Sequence, residues 1–582
     1  MSESDIDRLS GNGILRPELF VGVVATVTAN SLMVNLSAAG RPSGSHYQGG
    51  RYGRGEVGEF ILVEGQRSIL LGRIAEVRPV EAERRAISPD FAGKEKLEAC
   101  ARIDLLGHLS MDTLRVTAGV DAYPRLGDRV FAAPHVFIAH LPELMESKND
   151  DKPAVTLHLG SVDGAEESAI NVKPERLFGR HCAILGATGG GKSWTTARII
   201  EECLKHKCKV ILLDATGEYR GFQGKEIRHC HLGEPIEVAT NSIAVSLPPT
   251  CFHESDFLAL FEPSGKVQGP KLRAAIRSLR LAKLKPDLAP NGYIQKIGKS
   301  KAQVESAERE ATTGSLLDDP RQPFDAAYLT HQLEEECVHP EGFRVGGRHG
   351  EKDPTIWGGA SGEFTYCMSL VTRISGVLSS TAFSCVFADH QKPSVLGTLD
   401  DFLSGDARLL RICLGGLSYE YRAREVIANA FGRQVLSKSR SGSFSEMPTV
   451  LFVDEAHNFL GHHIGGEDFV AKLDAFELIA KEGRKYGLNL CLASQRPRDI
   501  TEGVLSQMGT LIVHRLTNDR DREVVERACG EIDRAASAFL PNLQPGEAAI
   551  IGTDFPIPLT VRIARPDCRP KSDGPDFQTY WD

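Results

Sequence analysis

The chain is 582 residues long, more than one hydrophobic core commonly supports, so two or three domains are expected. A hydrophobic share of 41% and a charged share of 25% are those of an ordinary soluble globular protein. The formal charge of −9 excludes a uniformly basic nucleic-acid coat, though not a ring with a local basic lining inside an acidic whole.

The N-terminal stretch MSESDIDRLSGNG lacks the basic-then-apolar order of a secretory signal. No segment approaches the roughly 20 apolar residues needed to span a bilayer. The 13 cysteines are scattered with no CxxC spacing, and Cys182, Cys385, Cys413 and Cys491 lie in apolar runs. Buried reduced thiols in the cytoplasm are expected, not a disulfide framework. His229-Cys230-His231 is a tight Cys/His cluster, but four ligands at a recognised zinc spacing are absent.

In chain order, strands are predicted at Phe20–Ser37 with a turn at Ala29-Asn30, then at Glu59–Glu64, Ser68–Val77, Ala101–Leu106, Met111–Val120 and Arg129–Ala133. Short runs with Gly and Pro punctuation predict a small β-barrel or sandwich over residues 1–165. Within it, Gly40–Gly58 carries Arg41, Arg51 and Arg54 with Tyr47 and Tyr52, which reads either as a surface loop or as a contact for a phosphate backbone.

From about residue 166 to 565 strands and helices alternate. Strands are predicted at His181–Leu185, Lys209–Asp214, Arg408–Leu417, Thr449–Asp454, Leu488–Ser494 and Thr510–His514, with a helix at Lys192–His206. The alternation predicts an α/β domain with a parallel, doubly wound sheet. Between about 251 and 400 the pattern turns mostly helical, with helices at Ser255–Glu262, Pro270–Leu284, Ala326–Cys337 and Phe364–Leu378, and reads as an insertion. Residues 566–582 read as a polar tail, and Lys148–Lys152 as a linker turn.

Gly186-Ala187-Thr188-Gly189-Gly190-Gly191-Lys192-Ser193 fits G-x-x-x-x-G-K-[ST] in full, between a predicted strand and a predicted helix. A polyphosphate needs several donors aimed at one place. Glycines let the backbone turn its N–H groups inward, and the helix adds its positive end. Lys192 supplies a point charge to the β- and γ-phosphates of ATP, and Ser193 a hydroxyl to Mg²⁺. Trp194 adjoins this nucleotide-binding set. Downstream, Val450–Glu455 ends a buried strand on two acids. Asp454 would hold Mg²⁺, and Glu455 would polarise the attacking water.

Asp454-Glu455-Ala456-His457 also spells DEAH, but only about a hundred residues follow Leu488, too few for a second motor lobe. A single-lobe motor needs a cation delivered to the γ-phosphate by a neighbouring subunit. Arg484 and Lys485, Arg180, and Arg515 are candidates. Gln495, after the strand Leu488–Ser494, stands where a polar γ-phosphate sensor is expected.

The ordered motifs ILGATGGGKS (184–193), DATGEY (214–219), VDEAHNFL (453–460), EGRKYG (482–487) and ASQRP (493–497) resemble the HerA branch of the HerA–FtsK ring translocases. The resemblance covers most of residues 171–565 and extends to the N-terminal barrel. It implies a RecA-like P-loop ATPase core with a helical insertion behind a HAS-barrel-like domain. It also implies a homohexamer that threads double-stranded DNA using ATP, with a nuclease or other effector enzyme docked on the barrels, in DNA end processing or antiviral defence. One departure is Asp214-Ala215-Thr216-Gly217, where relatives often carry proline and a basic or His residue. Two other readings share these motifs: a ring scaffold that assembles an effector, and a membrane-coupled DNA pump. The second is disfavoured by the absence of an apolar span. Candidate DNA-facing loops are Arg220–Lys225 and Gly346–Lys352.

Overall fold

A computed structural model of the chain describes residues 14–37, 45–47, 50–79, 99–145, 154–343, 352–388, 391–460, 463–464, 471–529 and 538–571. Two compact units are bounded by Met1–His206, Ala493–Arg498 and Leu505–Arg569 for the first, and by Lys207–Leu492, Asp499–Val504 and Pro570–Asp582 for the second.

The first unit holds the barrel. Phe20–Val27 and Ser31–Leu36 form a hairpin about the expected turn, where the Thr28 hydroxyl donates to the Ser31 carbonyl at 2.8 Å. Sheet order is Ser31–Leu36, Phe20–Val27, Arg129–Ala132, Phe60–Val63, Ser68–Pro79, Ala99–Ser110 and Arg115–Ala118. Ser31–Leu36 also pairs with Ala99–Ser110, with Leu32 opposite Ile103 and Val34 opposite Ala101. That pairing closes six of the strands, so the alternatives of barrel and sandwich resolve to a barrel, and Arg115–Ala118 extends it beside Ala99–Ser110. Leu32, Val34, Ile61, Leu70, Ile74 and Ile103 fill its centre at 0% exposure, each apolar side chain contributing about 1.5–3 kcal/mol.

Within the stretch read as a surface loop or a phosphate contact, Ser45–Tyr47 and Gly50–Tyr52 pair as antiparallel strands. Tyr52 belongs to the barrel core and stacks on His135 at 4.2 Å, which commits it to packing and not to a phosphate contact. Arg51 pairs with Glu56 at 2.9 Å and Arg54 donates to the Glu18 carbonyl at 2.8 Å. Arg41, Lys148–Lys152 and residues 346–351 lie outside the described residues.

The same unit continues with a motor half-sheet in the order Ala165–Val172, Leu157–Val162, Phe555–Ile563, Glu547–Gly552, Thr510–Val513, Cys182–Leu185. The hairpin Leu157–Val172 pairs with Phe555–Ile563 and so stands on the motor sheet, not in the barrel. Its alternation is too weak in the sequence to be singled out. Cys182–Leu185 runs parallel to Thr510–Val513, and every residue of both is buried.

In the second unit Leu488–Ser494, Thr449–Val453, Lys209–Asp214, Leu409–Gly416, Ile227–Gly233 and Ile243–Ala244 follow one another, all paired in parallel. Continuous Val/Ile/Leu runs suit strands covered on both faces. The insertion is mostly helical, with Glu254–Phe261, Gly265–Leu284, Leu329–Glu336, Glu363–Ser379 and Val395–Ser404 among its helices. Gly265–Leu284 begins ahead of Pro270, where the sequence reading started it. The Gln268 side chain accepts from the Ser264 N–H at 2.9 Å and donates to the Tyr366 carbonyl at 2.7 Å, anchoring the turn that proline alone would end. No single helix among the described residues is long and apolar enough to cross a membrane.

Candidate nucleotide site

Phosphate-loop geometry starts from the buried strand Cys182–Leu185. The Gly186 N–H donates to the Ser494 carbonyl at 3.3 Å and the Ala187 N–H to the Arg515 carbonyl at 3.1 Å, fixing where the loop leaves the sheet. Gly189 and Gly191 adopt φ of 75° and 113°, open to glycine and strained for other residues. Gly191 is the N-cap of the helix Lys192–Leu204 and provides no side-chain cap, so the helix start presents backbone donors and its positive dipole end. Lys192 is buried and its Nζ donates to the Ala187 carbonyl at 3.3 Å, arching over the loop. Ser193 and Trp194 are half-buried on the first helical turn. The Thr188 hydroxyl donates to Oε1 of Gln495, so the expected sensor touches the loop itself.

Beneath the loop lies His514, one residue beyond the strand Thr510–Val513 and fully buried. A Cβ on Gly186 would sit 2.6 Å from the His514 Cβ, and one on Gly190 3.3 Å from it. At Gly186 that approach leaves no room for a side chain, while at Gly190 it leaves little. Nδ1 of His514 lies 2.8 Å from the Glu547 carbonyl, which can only accept, so Nδ1 carries the proton. Nε2 therefore accepts from the Thr195 hydroxyl at 2.8 Å. Burial, together with the Lys192 charge, pushes the His514 pKa down to about 4, so the ring is neutral.

The acidic residues belong to the second unit. Thr449–Val453 pairs in parallel with Lys209–Asp214 and with Leu488–Ser494, and its C-terminal end delivers Asp454 and Glu455. Glu455 has a φ of 45°, uncommon for a residue with a side chain and typical of functional turns. Its carboxylate lies 3.3 Å from Nδ1 of His457. Asp454 is 5% exposed, and its Oδ2 has no hydrogen-bond partner among the described residues. Burial raises the Asp454 pKa well above the usual carboxylate range, and the charges of Asp214, Glu455 and Glu218 raise it further. A buried acceptor without a donor among neighbouring acids fits a cation, so the surroundings of Asp454 suit a Mg²⁺ role.

Behind Asp454 stands a frame the sequence reading did not assign to the site. Asp214 is fully buried and accepts from the N–H groups of Gly217 at 2.7 Å, Glu218 at 3.1 Å and Tyr219 at 3.0 Å. Arg411 donates to it through Nε at 2.7 Å. The Tyr219 hydroxyl in turn reaches Oδ1 of Asp454 at 3.5 Å. The signal was an arginine inside the apolar strand Leu409–Gly416, since a charge in a buried strand needs a buried partner.

The candidate trans cations stand elsewhere. Arg484 is exposed on the 3₁₀ turn Gly483–Tyr486, which precedes Leu488–Ser494, at the opposite strand end from Asp454. With Thr449 opposite Leu488 and Val453 opposite Leu492, that separation is about 13–17 Å along the sheet. Arg180 precedes Cys182–Leu185, so the phosphate loop leaves the other end; Arg180 lies 3.5 Å from Asp554. Neither is brought to the site elements of its own unit. Arg515 donates to the Pro541 carbonyl at 3.1 Å. Arg220, in a candidate DNA loop, pairs with Glu237.

Residues 157–328 match the family described as "Helicase HerA, central domain". The probable DNA double-strand break repair helicase HerA of Methanocaldococcus jannaschii is 25% identical over 428 residues, covering 71% of this chain and 76% of that protein. The DNA double-strand break repair helicase HerA of Saccharolobus solfataricus is 23% identical over 433 residues, covering 73% of this chain and 72% of its own. Among solved structures, the bacterial conjugative coupling protein TrwB aligns over 75% of this chain and 94% of its own, at 15% identity and a TM-score of 0.42.

Proposed function

We propose that this chain, a distant member of the HerA helicase family, is an ATP-hydrolysing ring motor that translocates on double-stranded DNA with a partner nuclease or effector enzyme. The observation that carries the reading is the phosphate loop, where an uncapped helix start, left-handed glycines and Lys192 converge. Bound Mg²⁺ would supply charge neutralisation at the β- and γ-phosphates. Lys192 and the helix start bind the polyphosphate, Gln495 orients the loop through Thr188, and Glu455 takes the proton of the attacking water.

A homohexamer is supported by the position of Arg484 and Arg180, each at the strand end away from its own unit's site residues. Such residues suit delivery to a neighbour's γ-phosphate. The closed barrel offers a docking platform for the effector. The 13 free thiols suit the reducing cytoplasm. ATPase turnover with and without duplex DNA, together with native mass, tests the proposal. A hexameric mass with DNA-stimulated turnover is expected. Turnover indifferent to DNA in an assembled ring would instead favour a scaffold for the effector.

A further inference from the structure

Barrel and phosphate loop belong to the same unit, and one segment touches both. Phe539–Glu547 begins at the barrel, where Arg73 lies with its guanidinium 4.2 Å from the Phe539 ring and 5.2 Å from the Phe60 ring. Arg73 also donates to the Gly58 carbonyl at 2.8 Å and to the Thr560 hydroxyl at 3.2 Å, so a barrel arginine grips the motor strand Phe555–Ile563. These groups line a cleft of about 430 Å³ that also receives Glu547 and Gln544.

The other end of the segment reaches the phosphate loop. The Gly546 N–H donates to the Gly190 carbonyl at 3.4 Å, and the Glu547 carbonyl accepts from His514. His514 holds Thr195, the fourth residue of the helix that follows the loop. Midway, the Pro541 carbonyl accepts from the Arg515 side chain, while the Arg515 carbonyl accepts from the Ala187 N–H at 3.1 Å. The Glu547 side chain closes the segment on itself by accepting from the Gln544 N–H at 2.8 Å. The segment is thus a contiguous run of packing contacts and hydrogen bonds from the cleft to the phosphate loop, the kind of network that carries energetic coupling between sites.

We propose that Phe539–Glu547 is a strap coupling the barrel-side cleft to the phosphate loop, gripped by Arg73 at one end, with His514 as the positioning residue at the other. Loosening the Arg73 grip at the cleft then changes nucleotide affinity, and nucleotide binding changes that grip in return. The inference rests on the phosphate-loop reading above.

The test is a double-mutant cycle on the full chain, with the dissociation constant of a fluorescent ATP analogue as readout. Arg73→Ala alone is expected to weaken binding by about three- to tenfold. In a His514→Gln background the same change is expected to add nothing. An equal fold-change in both backgrounds, or none in the wild-type background, overturns the coupling. Thr195→Val cuts the same hydrogen bond from the helix side and replaces His514→Gln if that variant does not fold. Hydrogen exchange of the Gly186–Ser193 amides gives a readout that needs no nucleotide. Arg73→Ala should speed it, and unchanged exchange overturns the strap. Lys192→Ala is the separate control: binding unaffected by its loss would sink the phosphate-loop reading, while the exchange result would stand on its own.

Discussion

Arg411 and Asp214 form an ion pair with side chains 1% and 0% exposed, the arginine Nε and Nη2 both 2.7 Å from the same carboxylate oxygen. Together they hold the turn that aims Tyr219 at Asp454. Removing one partner leaves a buried charge uncompensated. Arg411→Ala is expected to destabilise the protein by about 3–5 kcal/mol. Chemical denaturation checks this, and a loss under about 1 kcal/mol would mean that water reaches the pair.

Lys192→Ala and Glu455→Ala should separate binding from chemistry. Lys192→Ala removes the charge that arches over the loop and should abolish ATP hydrolysis. Glu455→Ala should leave ATP binding largely intact and reduce turnover by about a hundredfold or more. Nucleotide binding by calorimetry and phosphate release distinguish them. Loss of binding in Glu455→Ala would make Glu455 a structural residue of the turn.

His514 confers a defined pH dependence. Its pKa falls from about 6.5 in an unfolded chain to about 4 in the fold. The folded state therefore binds the proton less readily, and the stabilisation is complete above pH of about 6.5 and lost as pH falls through 4. The loss amounts to roughly 3 kcal/mol. His514→Gln should flatten that part of the stability profile, read as the urea midpoint from neutral pH down to about 4. An unchanged slope would mean that another group carries the acid sensitivity.

Mixing Arg484→Ala with Lys192→Ala subunits tests delivery across an interface. Each variant alone should be inactive, because every site lacks one half. Mixed rings should recover part of the turnover, as some interfaces pair an intact loop with an intact arginine. No recovery from rings that assemble, measured by ATPase rate and native mass, would remove Arg484 from that role. The same experiment with Arg180→Ala decides between the two positions.

Much of the chemistry was legible in the linear sequence because it depends on local geometry. Gly186–Ser193 needs glycine dihedrals, one lysine and a helix start, all encoded by neighbours in the chain. Asp454 and Glu455 follow an apolar run whose end is visible as a change in residue type. The barrel strands were visible through their punctuation, and the insertion through its change in period. Other features depend on partners distant in the chain. Arg411 and Asp214 lie 197 positions apart, and Thr195 and His514 lie 319 apart. No spacing rule connects them. Barrel closure through Leu32 and Ile103, the core commitment of Tyr52, and the strap from Arg73 to His514 share that origin. Sequence alone singled out the candidates for binding a phosphate and for activating the water that attacks it. Tertiary structure decided what holds those residues still, because buried polar groups take their partners from whichever strand the fold places beside them.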